Sequence, residues 1–167
     1  MDMFEGIYSR RSIRRFTGMT VDKEDLHEII KAGTWAPSGL NNQPWRFVIV
    51  TDKDVRFEMA QLTKYKNIIE NSPACIAVFV DKDAMYNDVK DHQAMGACLQ
   101  NMLLAAHALG LGAVWLGEIL KRADEVQRLL ELPESMDLMA VVAIGYPASE
   151  AKTSPRKKVS EVLIKEI

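Results

Sequence analysis

At 167 residues the chain has the usual length of one domain, expected over 1–167, and can bury roughly two-thirds of its unfolded surface in a single core. Its 21 Lys+Arg against 23 Asp+Glu leave a net charge of −2, which offers no global field for nucleic acid or an anionic membrane, and 9 Gly and 6 Pro without a low-complexity run exclude disorder as its main business. No apolar stretch reaches about 18 residues and no signal-peptide core opens the chain, so the expected compartment is the cytoplasm; Cys75 and Cys98, far apart in apolar stretches, exclude a zinc cluster or disulfide scaffold and read as core packing.

Residues 3–9 are short and mixed and lead into Arg10-Arg11-Ser12-Ile13-Arg14-Arg15-Phe16, four arginines in six positions. Leu26, Ile29 and Ile30 recur at helical spacing and Asp22 with Asp25 gives an acidic first turn, so a helix is expected over 22–31, stopped by Gly33. Ala36-Pro37-Ser38-Gly39-Leu40-Asn41-Asn42-Gln43-Pro44 then reads as a loop, with Pro44 biasing Gln43 towards extended geometry. A strand over 45–50 and a helix over 53–62 follow. The β-branched, nearly continuous apolar run 74–80 predicts a strand buried on both faces. Residues 88–109 carry apolar and small side chains all round except for a thin polar stripe, which predicts a long, central, buried helix ending at Gly110 in a left-handed C′ position. A strand over 113–116, a helix over 123–130 and a strand over 138–144 complete the pattern. The tail, about 150–167, is polar through Arg156-Lys157-Lys158 and then apolar (Val159, Val162, Leu163, Ile164, Ile167), so it folds back on its own domain or crosses onto a partner chain.

Several chemistries fail on spacing. Gly110-Leu111-Gly112 follows a helix and lacks the third glycine of a dinucleotide fingerprint; no Gly-Lys pair forms a phosphate loop; Ser38 has no nucleophile elbow around it. His27, His92 and His107 are dispersed, so no metal site is expected. With no obvious acid, base or nucleophile, an enzyme of this sequence would borrow its reactive atoms from a cofactor. Two segments stand out. Arg10, Arg11 and Arg14 around Ser12 supply forked donors and a hydroxyl suited to a terminal phosphate, or else form a solvated basic face. Asn41, Asn42 and Gln43 between two prolines carry amides that can read a planar heterocycle or a polyol chain, or else cap a turn.

Together these segments resemble the FMN-dependent nitroreductase family over nearly the whole chain. The shared motifs are the arginine run 10–16, the loop from Ala36 to Trp45, the helix end Asn101 to Gly112, and Ala143-Ile144-Gly145-Tyr146-Pro147. The resemblance implies an α+β fold, a three-layer α/β/α sandwich with a mixed, mainly antiparallel sheet and a long central helix. It implies a homodimer with FMN at the subunit interface and NAD(P)H as co-substrate. It further implies ping-pong reduction of a nitroaromatic, quinone or similar small acceptor; the alternative is a flavin-binding carrier or sensor without turnover, and neither involves nucleic acid or a membrane. On this resemblance Arg10, Ser12, Arg14 and Arg156 hold the FMN phosphate, with Arg11 near the ribityl chain or pyrimidine edge. Pro37, Ser38, Gly39 and Asn41 approach the flavin from the other subunit, with Gln43 behind the loop or touching the cofactor. Leu116 and Gly117 lay backbone against the isoalloxazine ring, Lys66 is either a cation near the flavin or a solvated loop residue, and no catalytic side chain is nominated. The short stretch 81–87 leaves little room for an inserted lid.

Overall fold

A computed structural model describes residues 1–151 and 153–167. Helix α1 (Met3–Ser9) starts on a reciprocal cap in which the Asp2 carboxylate accepts the Glu5 amide and the Glu5 carboxylate accepts the Asp2 amide. That Asp-x-x-Glu signature makes a helix of the segment read as mixed. Helix α2 (Lys23–Thr34) runs through Gly33. Gly33 is a packing residue and not the expected stop, because a Cβ there would lie 2.8 Å from Met102 Cγ on the neighbouring helix.

Strand β1 (Trp45–Val50), helices α3 (Lys53–Ala60) and α4 (Lys66–Asn71), and strand β2 (Ala74–Asp81) follow. Helix α4 was not anticipated, its six residues being too few to establish a period. Then come α5 (Asp88–Ala108), β3 (Gly112–Leu116), α6 (Ala123–Leu129), β4 (Met136–Gly145) and the single turn α7 (Val159–Val162). Gly110 has φ +76°, the left-handed C′ geometry expected after α5.

The sheet order is β1-β2-β4-β3, with every strand pair antiparallel. Among the described residues the parallel component is one bridge, Ser12 to Ala113. All eight positions of β2 are buried, as its unbroken apolar run requires. Ile76, Val78 and Val80 pack with Leu26 and Ile29 of α2 and Met95, Leu99 and Met102 of α5; Cys75, Ala77 and Phe79 pack with Met59, Ile69 and Val126 of α3, α4 and α6. Helices therefore cover both faces, which makes three layers. A bulge between Val78 and Phe79 shifts the β2–β4 register, so Leu138 and Val141 share one face with Ala140 on the other. Both cysteines are buried and unpaired.

Candidate functional site

The arginine segment is strung along the end of the sheet. Ile13 N–H donates to the Ala113 carbonyl at 3.0 Å, Thr17 N–H to Tyr146 at 2.8 Å, and Ala148 N–H to the Arg15 carbonyl at 3.0 Å. Ile13 is the inward anchor: a Cβ on Gly112 would meet its Cγ2 at 2.6 Å, so only glycine lets the segment dock this close. Arg10, Arg11 and Ser12 are half-buried, whereas Arg14 is exposed. One terminal nitrogen of Arg11 donates to the Tyr8 and Arg10 carbonyls at 2.7 and 2.8 Å. The Nε atoms of Arg10 and Arg11 are buried with no hydrogen-bond partner among the described residues. Burial first, and then the charges of Arg156 and Arg11, lower the Arg10 guanidinium from its ordinary pKa. Arg10 thus lies within electrostatic reach of two further guanidiniums, one from the far end of the chain, a like-charged cluster whose chemistry suits an anion.

Beyond Ser12 the segment passes a small cavity of about 270 Å³ lined by Arg14, Tyr65, Trp115, Leu116, Gly117 and Glu118. Gly117 has ordinary dihedrals (φ −100°, ψ −16°), and a Cβ there would meet only Trp115 Nε1, at 4.0 Å. Among the described residues nothing requires glycine at this position, and a Cβ there would find room. Glu118 is fixed beside it by the Thr63 hydroxyl at 2.7 Å and the Lys64 amide at 3.1 Å, which hold its carboxyl below the usual carboxylate range. Lys66 opens α4 and is exposed; its neighbour Tyr65 lines the cavity instead.

The loop 37–43 lies elsewhere. Leu40, Asn41 and Gln43 have φ of 55°, 55° and 48°. Gln43 is therefore left-handed, not extended as the following proline suggests, and its own hydrogen bonds overrule that bias: its N–H donates to Ser38 Oγ at 3.1 Å and its side chain to the Asn41 carbonyl at 3.3 Å. The Gln43 amide thus turns back on the loop, while Pro37 and Asn41 are exposed and Ser38 and Gly39 half-buried. Gly39 lies against Tyr86, whose hydroxyl oxygen would be 1.8 Å from a Cβ at that position.

Asn42 points inward. Its Nδ2 donates to the Ala84 carbonyl at 2.9 Å and to Asp91 Oδ1 at 2.7 Å. Asp91 is fully buried, and its Oδ2 accepts the Tyr86 and Asn87 amides at 2.9 and 2.8 Å. Burial pushes this carboxyl's pKa up, but the bonds from Asn87, Asn42 and Tyr86 outweigh it and leave the group below its ordinary value. No local pattern distinguishes Asp91 from Asp88, which shares the first turn of α5, because its partner lies 49 positions away.

Two groups of candidate residues therefore form. Arg10, Arg11, Ser12, Arg14 and Arg156, with Leu116 and Gly117, gather at the β3 end of the sheet, whereas the loop 37–43 is tied to α5 at Asp91. Ser9, next to the arginines, bonds His107 at 2.7 Å near the other end of the same helix. Sixteen residues of helix separate the two ties, about 24 Å at 1.5 Å per residue. The loop and the arginine segment are thus anchored near opposite ends of α5. Among the described residues no three His, Cys, Asp or Glu side chains gather to hold a metal, and no helix is long and apolar enough to cross a membrane.

Comparison with known proteins gives a consistent result. A model described as the Nitroreductase family matches residues 7–74 and 56–146. A protein of Archaeoglobus fulgidus, provisionally named an NADH dehydrogenase/NAD(P)H nitroreductase, is 37% identical over 86% of this chain and 84% of its own length. The NADPH-flavin oxidoreductase of Vibrio harveyi is 32% identical over 91% of this chain and 68% of its own. A crystal structure from Desulfovibrio desulfuricans, provisionally described as a nitroreductase in complex with FMN, superposes with a TM-score of 0.93 at 48% identity, covering 98% of this chain and 96% of that one.

Proposed function

The chain belongs to the nitroreductase family, and from that footing we propose that it is an FMN-dependent oxidoreductase that takes reducing equivalents from NAD(P)H and passes them to a nitroaromatic, a quinone or a similar electron-poor acceptor. One observation carries the reading: the buried, unpartnered Nε atoms of Arg10 and Arg11, in a guanidinium cluster that includes Arg156, form a half-built anion site. When bound, FMN supplies two-electron chemistry, accepting a hydride from NAD(P)H and reducing the acceptor in a separate, ping-pong half-reaction.

The chain's own part is to bind, orient and tune. Arg10, Ser12, Arg14 and Arg156 hold the phosphate through charge-assisted hydrogen bonds, and Arg11 serves the ribityl chain or pyrimidine edge. Leu116 and Gly117 present backbone to the ring, and the empty space over Gly117 fits that role. Pro37, Ser38, Gly39 and Asn41 serve a second copy's flavin, with Gln43 stiffening the loop from behind. No side chain is assigned as acid or base.

The separation of about 24 Å along α5 between the anchor of the loop at Asp91 and that of the arginine segment at His107 supports a homodimer, in which a second copy brings its loop to the cofactor. Exposed Phe4, Tyr8, Trp35 and Leu40, with the apolar tail ending at Ile164 and Ile167, supply apolar surface for it.

The test is the absorption spectrum of the purified protein with NADH or NADPH, then with a nitroaromatic added. Yellow protein that bleaches and recovers supports the enzyme. A flavin spectrum indifferent to both nicotinamides makes it a carrier, and colourless protein that takes up no FMN overturns the reading.

A further inference from the structure

An open cleft of about 620 Å³, lined by no residue of either group, lies between the start of α2, the end of β1 and helix α3. Leu26, Ile49 and Pro73 give it apolar walls, and Thr20 and Thr51 add hydroxyls. Among the described residues its two charges are Lys23 and Arg56, and no carboxylate lines it. Among the described residues neither cation forms an ion pair. Arg56 is held in place from behind: Nε donates to the Thr51 carbonyl at 3.5 Å, and one terminal nitrogen donates to the carbonyls of Glu70, at 3.3 Å, and Ser72. Its other terminal nitrogen has no protein acceptor among the described residues and remains available to a ligand.

A chain with net charge −2 thus concentrates two unneutralised cations in a concavity that has the volume of a small-molecule site. A fixed guanidinium and a flexible ammonium suit a carboxylate; the apolar walls suit a hydrocarbon body and give a bare inorganic ion nothing to pack against. We propose that this cleft binds a small organic anion with an apolar body, an aromatic or branched aliphatic carboxylate, at a site separate from the flavin. None of its lining residues belongs to the proposed flavin set, so the assay below reads the cleft whether or not the flavin assignment is right.

The probe is 4-fluorobenzoate, followed by fluorine NMR on the full chain supplied with FMN. Binding is expected with Kd about 1 mM. Lys23→Met should weaken it about tenfold through loss of one charge-assisted contact. A Cβ at Gly18, another lining residue, meets nothing within 4 Å, so Gly18→Phe can fill the cleft without a clash at the backbone and should abolish binding. Both variants should keep the wild-type FMN content, and 4-fluorobenzyl alcohol should bind at least about tenfold more weakly than the acid. No binding up to about 20 mM, an affinity unmoved by both substitutions, or displacement by inorganic phosphate as effective as by unlabelled benzoate would overturn the proposal.

Discussion

Replacing Asp91 tests whether the loop 37–43 is held in position by a buried carboxylate. In Asp91→Ala three donors lose their acceptor: the amides of Tyr86 and Asn87 and the side chain of Asn42, at 2.9, 2.8 and 2.7 Å. Each orphaned buried donor costs about 1–3 kcal/mol. Partial relaxation towards solvent, on the side where Tyr86 and Asn87 are exposed, brings the expected loss to about 3–5 kcal/mol, within reach of a domain stable by about 5–15 kcal/mol. Asp91→Asn keeps the shape and one acceptor oxygen for the Tyr86 and Asn87 amides, but its new N–H₂ meets the Asn42 N–H₂, and turning the Asn42 amide over would give up its bond to the Ala84 carbonyl. We expect Asp91→Asn to cost about 1–2 kcal/mol. The sign of the pH dependence follows from the lowered folded-state pKa. The carboxylate's contribution is complete above the unfolded value of about 3.9 and is lost as pH falls through the folded value. Wild-type stability should therefore drop more steeply below about pH 4 than that of Asp91→Asn, which has no carboxyl to protonate there. Urea unfolding at neutral pH and through the acid range, with m-values checked for constancy, measures both effects. A loss under about 1 kcal/mol in Asp91→Ala, or identical acid slopes for wild type and Asp91→Asn, would refute the reasoning.

Gly117→Ala should leave the melting temperature unchanged or slightly raised, because its dihedrals suit any residue and the methyl meets no chain atom closer than 4.0 Å. FMN affinity measured by flavin fluorescence should nonetheless fall, and an unaltered affinity removes Gly117 from the ring contact. Gly145→Ala should do the reverse: its Cβ would lie 2.5 Å from Pro73 Cδ, so a destabilisation of about 1–3 kcal/mol is expected in denaturant unfolding, and a neutral result would show that Pro73 yields easily.

The sequence declares some elements of this fold and conceals others. Strand β2 was readable because a run such as Ala74–Asp81, buried on both faces, can satisfy itself only at the centre of a sheet; α5 was readable as a long helix but not in its burial, since its buried residues, among them Asp91, Met95, Cys98, Met102 and Ala106, form one face. Gly110 was readable because the left-handed C′ position has a composition of its own. Gly33 was misread, since a glycine near a helix end suggests a stop until the side chains of Cys98 and Met102 are seen to need its space. In the candidate site the arginine run was visible as composition, but its meaning depends on Arg156, about 150 positions away by the numbering, and on two buried nitrogens. The three amides of the loop looked equivalent. Only the fold separates Asn42, committed inward to Asp91, and Gln43, turned back on the loop, from Asn41, which is exposed.

The central claim is that the arginine cluster holds a flavin phosphate. Its most direct test is the FMN retained per chain after desalting, compared between wild type and the Arg10→Ala/Arg14→Ala double variant at equal folded fraction. The account predicts about one FMN per wild-type chain and a retention reduced about tenfold or more in the double variant. Equal occupancy in the two proteins would contradict it and place the phosphate elsewhere.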